Sequence, residues 1–190
     1  MVSRSLTIVY LGLILVFSAR ADLNLSPTLG DFSGDGVRHH HLVFADGSGG
    51  EITYQQPEGW QYFGEPGKLT LYPQEKSQAT GTITKVIFRQ PAIFDEQSRK
   101  KLTEEALSGL PGGSTNIALV SQEMNPVKIG GKETFLVIVS YVFYGEQYAR
   151  SIMFLNRGSE QIRFQLTSRA ADFNDLQRTF LASQFTWNNL

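Results

Sequence analysis

The sequence predicts an α+β domain with a central antiparallel sheet flanked by helices, and three observations support this fold class. Residues 135–144 are apolar at nearly every position, which is typical of a strand in the middle of a sheet that is covered on both faces. Residues 148–155 and 161–167 predict two more strands, and the turns between the three are too short for parallel crossovers. Two amphipathic helices, capped by Asp95 and Asp172, supply the flanking layers.

Shorter strands are predicted around the first helix. Residues 37–45 and 51–54 flank a glycine-rich turn, which predicts a hairpin. Residues 68–72 alternate between apolar and polar side chains, and residues 82–88 form a β-branched run. A further strand over residues 117–120 follows the helix. Strands, helix, strands and helix in this order indicate one layered domain.

The two helices are predicted from the spacing of their apolar residues. In the first, Leu102, Ala106 and Leu110 recur every four residues, and a segment rich in glycine and proline ends it. Its opposite face is expected to be solvated and consists of Arg99, Lys100, Lys101, Glu104 and Glu105. The second helix has an inner stripe and a tail expected to pack back on the domain: Phe173, Leu176, Phe180 and Leu181, then Phe185 and Trp187.

The first 21 residues have the pattern of an export signal. A positive start with Arg4 precedes an apolar run over residues 6–17, and Ala19 and Ala21 are the small residues that signal peptidase requires. The run is too short to span a bilayer comfortably, since a transmembrane helix needs about 20 apolar residues. We therefore expect cleavage before Asp22, a periplasmic or secreted location and no stable membrane insertion afterwards. An uncleaved anchor is the alternative.

Two units are predicted after this signal. Residues 22–36 are rich in Gly, Asp, Ser and Pro and lack an apolar period, so we expect a flexible leader. Residues 37–190 form the single α+β domain, which opens with the hairpin.

Composition excludes several classes of function. The chain of 190 residues has a formal net charge of −1, so it has no electrostatic reason to bind nucleic acid. It contains no cysteine, which excludes disulfides, thiolate metal sites, cysteine nucleophiles and a thiol-linked lipid. The sequence also contains neither a G-x-S-x-G nucleophile motif nor a G-x-G-x-x-G phosphate-binding motif. No cofactor is expected, apart from a possible divalent metal.

The candidate for that metal is a run of three histidines. On a strand, His39 and His41 point to the same face, so two imidazoles can face one ion. A third ligand would come from Asp35, Asp46 or Glu51. The alternative is a polar edge strand without a metal.

The same segment also resembles a calcium loop. Residues 31–36 read Asp-Phe-Ser-Gly-Asp-Gly, which places oxygen ligands at alternate positions. The later ligand positions hold His39 and Leu42 in place of acids, so an acidic leader is the preferred interpretation.

An aromatic group supplies the candidate binding residues. Trp60 and Tyr62 follow a glycine turn and combine apolar area with a polar tip, which suits a surface anchor for a partner. Burial in the core or at its rim is the alternative for most of the aromatic residues.

Four segments in order resemble the family of the photosystem II extrinsic protein PsbP and its bacterial DcrB-like relatives. The resemblance covers roughly residues 51–187. Its elements are Ile52-Thr53-Tyr54 with Pro57-Glu58-Gly59-Trp60, the helix led by Phe94-Asp95, Ile129-Gly130-Gly131-Lys132, and Phe180 to Phe185 at the close. The resemblance implies an αβα sandwich with a central antiparallel sheet and non-enzymatic roles in assembly, stabilisation or partner binding.

These observations predict a non-enzymatic exported domain that binds or stabilises another envelope or secreted protein. Two alternatives stay open. One is a metal-dependent enzyme that uses His39 and His41, and the other is a carrier of a small apolar ligand in a pocket between the sheet and a helix.

Overall fold

The computed structural model describes residues 22–34, 37–47 and 49–188. The predicted signal segment, residues 1–21, therefore lies outside the described residues, as does Asp35. The elements in chain order are β1 (Thr28–Gly34), β2 (Val37–Ala45), β3 (Glu51–Tyr54), β4 (Trp60–Glu65), β5 (Lys68–Pro73), β6 (Thr80–Ile87), α1 (Glu96–Ser108), β7 (Thr115–Met124), β8 (Thr134–Phe143), β9 (Glu146–Arg157), β10 (Glu160–Arg169) and α2 (Ala170–Gln184).

The strands form two antiparallel sheets. The larger sheet has seven strands in the order β4-β5-β6-β10-β9-β8-β7, and β1-β2-β3 form the smaller one. The predicted hairpin is present as β2 and β3, and the predicted meander as β8, β9 and β10. The apolar strand β8 lies next to the edge strand β7, whereas β10 occupies the centre. The central position expected for β8 was therefore wrong.

Different elements pack against the two faces of the larger sheet. On one face, Phe135, Val137 and Val139 of β8 pack with Leu102 and Ala106 of α1. The other face is covered by α2 and by the three-stranded sheet, in one cluster that includes Leu136, Phe164, Phe173, Phe180, Phe44 and Ile52. The expected two-sided cover of β8 and the α+β sandwich are thus confirmed.

The N-terminal segment is part of the core, in contrast to the flexible leader predicted over residues 22–36. Leu23 and Leu25 are completely buried, and residues 28–34 pair along their length with β2. The Leu25 amide donates a hydrogen bond of 3.0 Å to the carbonyl of Pro66. Two alternating leucines make too short a pattern to predict, but their burial against residues far along the chain stabilises the segment.

The two helices begin differently. Asp95 caps α1, because its carboxylate accepts a hydrogen bond of 2.7 Å from the Ser98 amide, and this bond holds the pKa of the Asp95 carboxyl below its usual value. The cap predicted at Asp172 is wrong. The chain turns directly from β10 into α2 at Arg169, which has no side-chain cap. Asp172 lies in the first turn, where it pairs with Lys76 at 2.6 Å and complements the helix dipole.

The C-terminal tail closes the gap between the two sheets. Trp187 is 1% exposed, and its ring lies 5.4 Å from the ring of Phe44 and 5.3 Å from that of Phe164. Phe185 is 61% exposed, so the packing expected for both aromatic residues holds for Trp187 alone. Residues 185–187 continue the chain as turns with hydrogen bonds over three residues, and positions two apart in such a turn point in different directions.

Candidate binding surfaces

The histidine segment lies on β2, opposite β1. The strand pairing places His40 across from Asp31, and the His40 Nδ1 atom lies 2.8 Å from a carboxylate oxygen of Asp31. His40 and His41 line a cleft of about 420 Å³ together with the loop over residues 55–59. The side chain of His39 lies outside the described part of the chain.

Among the residues that the structure describes, no group of three or more acids and histidines could hold a metal ion. The site built from His39, His41 and Asp35 stays a prediction, because two of its three members are not described at the side-chain level.

The second sequence-predicted site is built from Trp60 and Tyr62 at the start of β4. Gly59, at a φ of 74°, makes the turn before Trp60. The Trp60 ring is buried and stacks on Phe180 of α2 at 5.9 Å, with the planes 4° apart. The surface position expected for Trp60 is therefore wrong, because the alternation of β4 directs this ring towards α2. Tyr62 is partly buried against the same cluster.

A groove of about 650 Å³ lies between α1, the polar face of β10 and the loop that joins β6 to α1. It forms because α1 packs over β7 and β8 and leaves β10 uncovered on this face. The groove wall combines apolar, cationic and neutral polar side chains with one carboxylate: Phe88, Pro91, Ala92, Ile93, Leu102, then Arg89, Lys101, Arg163, then Gln90, Ser98, Gln161, and Glu105. We call this site the α1 groove.

Arg163 holds one wall of the α1 groove in place. Its guanidinium donates two hydrogen bonds to the carboxylate of Glu105, one of them at 3.2 Å, and a third of 3.1 Å to Gln161. It also lies over the ring of Phe154 at 5.5 Å. Glu105 and Arg163 thus neutralise each other, and Arg89 and Lys101 supply the remaining charge of the wall.

The edge strand β7 is the most exposed strand of the larger sheet. It pairs with β8 alone, and every residue from Thr115 to Glu123 is exposed. Three of its apolar side chains are among these residues: Ile117, Leu119 and Val120, the last of them 59% exposed. The strand contains no lysine, arginine or proline, the residues that commonly protect such edges. It bears two irregularities of register with β8.

At the opposite edge of the same sheet, the N-terminal segment packs on one face of the edge strand β4. The N-terminal segment crosses β4, where Pro27 lies so close to Gly64 that a Cβ atom on that glycine would come within 2.3 Å of the proline ring. The hydrogen bond from Leu25 to Pro66 holds the segment against the turn between β4 and β5. Both edge strands pair with one neighbour only, and Phe63 of β4 is 58% exposed. β7 differs from β4 in its nine consecutive exposed residues.

A network of charged groups connects the two sheets. Arg157 pairs with Asp46 of the β2–β3 turn at 2.6 Å and with Glu160 at 3.1 Å. Lys85 of β6 pairs with Asp22 at 2.7 Å. Burial raises the pKa of the Glu160 carboxyl, a hydrogen bond with Asp22 raises it further, and Arg157 partly opposes the shift.

This raised pKa predicts a dependence of stability on pH. At pH values above 4.5, the ordinary pKa of this carboxyl group, Glu160 of the folded protein retains a proton that the unfolded chain has released. The free energy of unfolding therefore falls as the pH rises through the pKa of the folded state. In Glu160→Gln this contribution is absent. We expect its urea midpoint to fall less than that of the wild type between pH 4.5 and 7. Glu65→Gln, at an exposed position, is the control, and identical profiles for all three proteins would contradict the prediction.

The class of protein that this architecture defines is an α+β domain with the PsbP-like fold. In particular, the structure is similar to the solution structure of cyanobacterial PsbP (CyanoP) from Synechocystis sp. PCC 6803, with a TM-score of 0.56 and 11% identity. The match covers 85% of this chain and 98% of that one. The resemblance predicted from the sequence is thereby confirmed as a likeness of fold.

Two further solved structures are similar at lower scores. A Pseudomonas aeruginosa protein of unknown function has a TM-score of 0.48 at 15% identity, over 85% of this chain and 97% of that one. LpqN of Mycobacterium tuberculosis, described as involved in cell envelope biogenesis, has a TM-score of 0.47 at 14% identity, over 71% and 79%. No protein-family model matches the sequence, and no curated protein matches it significantly. Across the described ranges, neither helix is long and apolar enough to cross a membrane.

Proposed function

We propose that this chain is an exported, non-enzymatic domain that binds and stabilises another protein of the cell envelope, with β7 as its docking strand. The observation that carries the proposal is the bare edge of β7, with its exposed apolar side chains Ile117, Leu119 and Val120. An exposed strand edge offers a row of unpaired amide and carbonyl groups that an extended segment of another chain can extend as a new strand.

The continuous exposure of β7 supports its role in binding, since the other edge strand, β4, is buried or half-buried at alternate positions. Residues 25–27 pack on one face of β4 near Gly64, whereas every residue from Thr115 to Glu123 of β7 is exposed. An apolar edge of this length is a liability for aggregation unless a partner occupies it. The predicted signal over residues 1–21 supports export of the domain to the compartment where such a partner would be found.

Placing a charge on this edge tests the proposal. Val120→Lys is expected to abolish capture of a partner while changing the free energy of unfolding by less than about 0.5 kcal/mol, because the position is exposed. A lysine on an edge strand opposes the addition of another strand. The measurement is photo-crosslinking in the native envelope from a photoreactive residue at position 120, combined with co-purification by the wild type and the variants.

Phe185→Lys is the matched control, since it also replaces an exposed apolar residue but lies beyond α2. The proposal requires one protein that crosslinks to position 120, co-purifies with the wild type and Phe185→Lys, and is lost with Val120→Lys. Equal recovery with both variants would place the binding surface elsewhere. If position 120 crosslinks only to a second copy of this chain, the proposal is wrong and β7 forms a homodimer interface instead.

A further inference from the structure

The α1 groove has the charge and shape of a small-molecule site. Its volume of about 650 Å³ falls within the roughly 300–1,000 Å³ typical of ligand pockets. Its wall holds three cations and one carboxylate, although the whole chain has a formal net charge of −1. The local excess of positive charge therefore opposes that of the whole molecule.

Two of the cations are available to a ligand. Arg163 is occupied by Glu105 and Gln161, which pair its charge and take three of its N–H donors. Arg89 and Lys101 are both exposed and flank the groove from the loop and from the helix. Asp95, which also interacts with Lys101, is engaged by the Ser98 amide at the helix cap.

The rest of the wall is mostly apolar, with Gln90, Ser98 and Gln161 as its polar residues. Ile93 is 64% exposed in the loop, and Phe88, Pro91, Ala92 and Leu102 continue the apolar surface towards the helix. A large exposed isoleucine beside a cationic rim is costly in water and is covered favourably by an alkyl chain. The groove thus offers exposed cations and apolar side chains next to one another.

We infer that the α1 groove binds a single-chain anionic amphiphile, with its carboxylate or comparable head group between Arg89 and Lys101 and its alkyl chain against Ile93. The ligand needs both an anionic head group and an alkyl chain, because the groove presents cationic and apolar side chains together. The cations provide charge-assisted hydrogen bonds to the head group, and burial of the chain supplies the larger part of the affinity. This site lies on the wall of β10 and α1 and is independent of a partner docked on the β7 edge.

Dodecanoate below its critical micelle concentration is a suitable probe, and titration calorimetry on the purified protein measures its dissociation constant. Lys101→Glu is expected to weaken binding about tenfold, because it removes one charge-assisted hydrogen bond. The matched control is Lys100→Glu. Neighbouring helix residues point about 100° apart, and Lys100 lines a different cleft of about 550 Å³ beside β7. Its effect is expected to stay below about twofold.

Two comparison ligands separate the contributions of charge and chain. Dodecyltrimethylammonium has the same chain with a positive head, and butanoate has the same head with little chain; both are expected to bind at least about tenfold more weakly. Equal affinity for dodecyltrimethylammonium, equal affinity for butanoate, or no binding of dodecanoate would each overturn the inference.

The location of binding is tested by amide chemical-shift changes on addition of dodecanoate. Changes confined to residues 88–105 and β10 support the α1 groove, and changes centred on β7 overturn it. Val120→Lys should leave dodecanoate binding unaltered, so failure of the groove and failure of the docking strand give different results.

Discussion

Replacing Leu25 by alanine is expected to lower the free energy of unfolding by about 3 kcal/mol, the middle of the range for a buried leucine. Leu25 is completely buried in the cluster that joins the two sheets, and its amide is bonded to Pro66. Alanine at this position leaves a cavity in this buried cluster. Equilibrium unfolding in urea, followed by tryptophan fluorescence, measures the loss.

Leu29→Ala provides the matched control. It makes the same chemical change four residues later, at a position that is 65% exposed, so we expect a change below about 0.5 kcal/mol. Equal effects at the two positions would show that residues 22–27 are a loose leader after all. A large loss at Leu25 alone would establish that the domain begins at least ten residues before the predicted boundary at Val37.

Replacing Trp187 by alanine is expected to lower the free energy of unfolding by about 4 kcal/mol, at least as much as the change at Leu25. Its ring contacts Phe44 of the small sheet, Phe164 of the large sheet and Tyr54 at 5.5 Å, so truncation removes a shared contact between both sheets. We expect the midpoint of thermal unfolding to fall sharply and near-ultraviolet circular dichroism to lose intensity.

Two further variants test whether the packing of the Trp187 ring is the cause of this loss of stability. Phe185→Ala removes a neighbouring aromatic ring that is exposed, so its effect should stay below about 0.5 kcal/mol. Trp187→Phe retains an aromatic ring and removes an indole N–H that has no hydrogen-bond partner within the described chain, and its cost should be well below that of alanine. A loss in Trp187→Phe equal to that in Trp187→Ala would argue against ring packing as the source of stability.

Much of the fold was predictable because it is recorded in local periodicity. The alternation around Ile162, Phe164 and Leu166 predicted both the strand β10 and the faces of its side chains, and the four-residue spacing of Leu102 and Ala106 predicted the buried face of α1. Local chemistry also identified the Asp95 cap. Such patterns can be recognised in the sequence because they involve only residues that are close together along the chain.

The candidate sites were less predictable, because their residues belong to different elements. The sequence assigned Lys101 and Glu105 to a solvated helix face, and only the packing of α1 away from β10 makes them walls of a groove. Charged residues interspersed on a helix provide no signal for a groove. Likewise, residues 117–120 were predicted as a strand, but nothing in them indicated that the strand would lie at an uncovered edge.

By itself, the sequence determined the antiparallel meander, the two helices and the fold class, since hydrophobic period and turn length decide these elements locally. Only the tertiary structure decided which aromatic rings are buried, with Trp60 and Trp187 inside and Phe185 outside. It also decided that Leu23 and Leu25 are buried in the core while β7 is exposed along its length. These outcomes depend on contacts between residues far apart in the chain. The free energy of burial comes from many such contacts together, and they produce no periodic pattern within any one segment of the sequence.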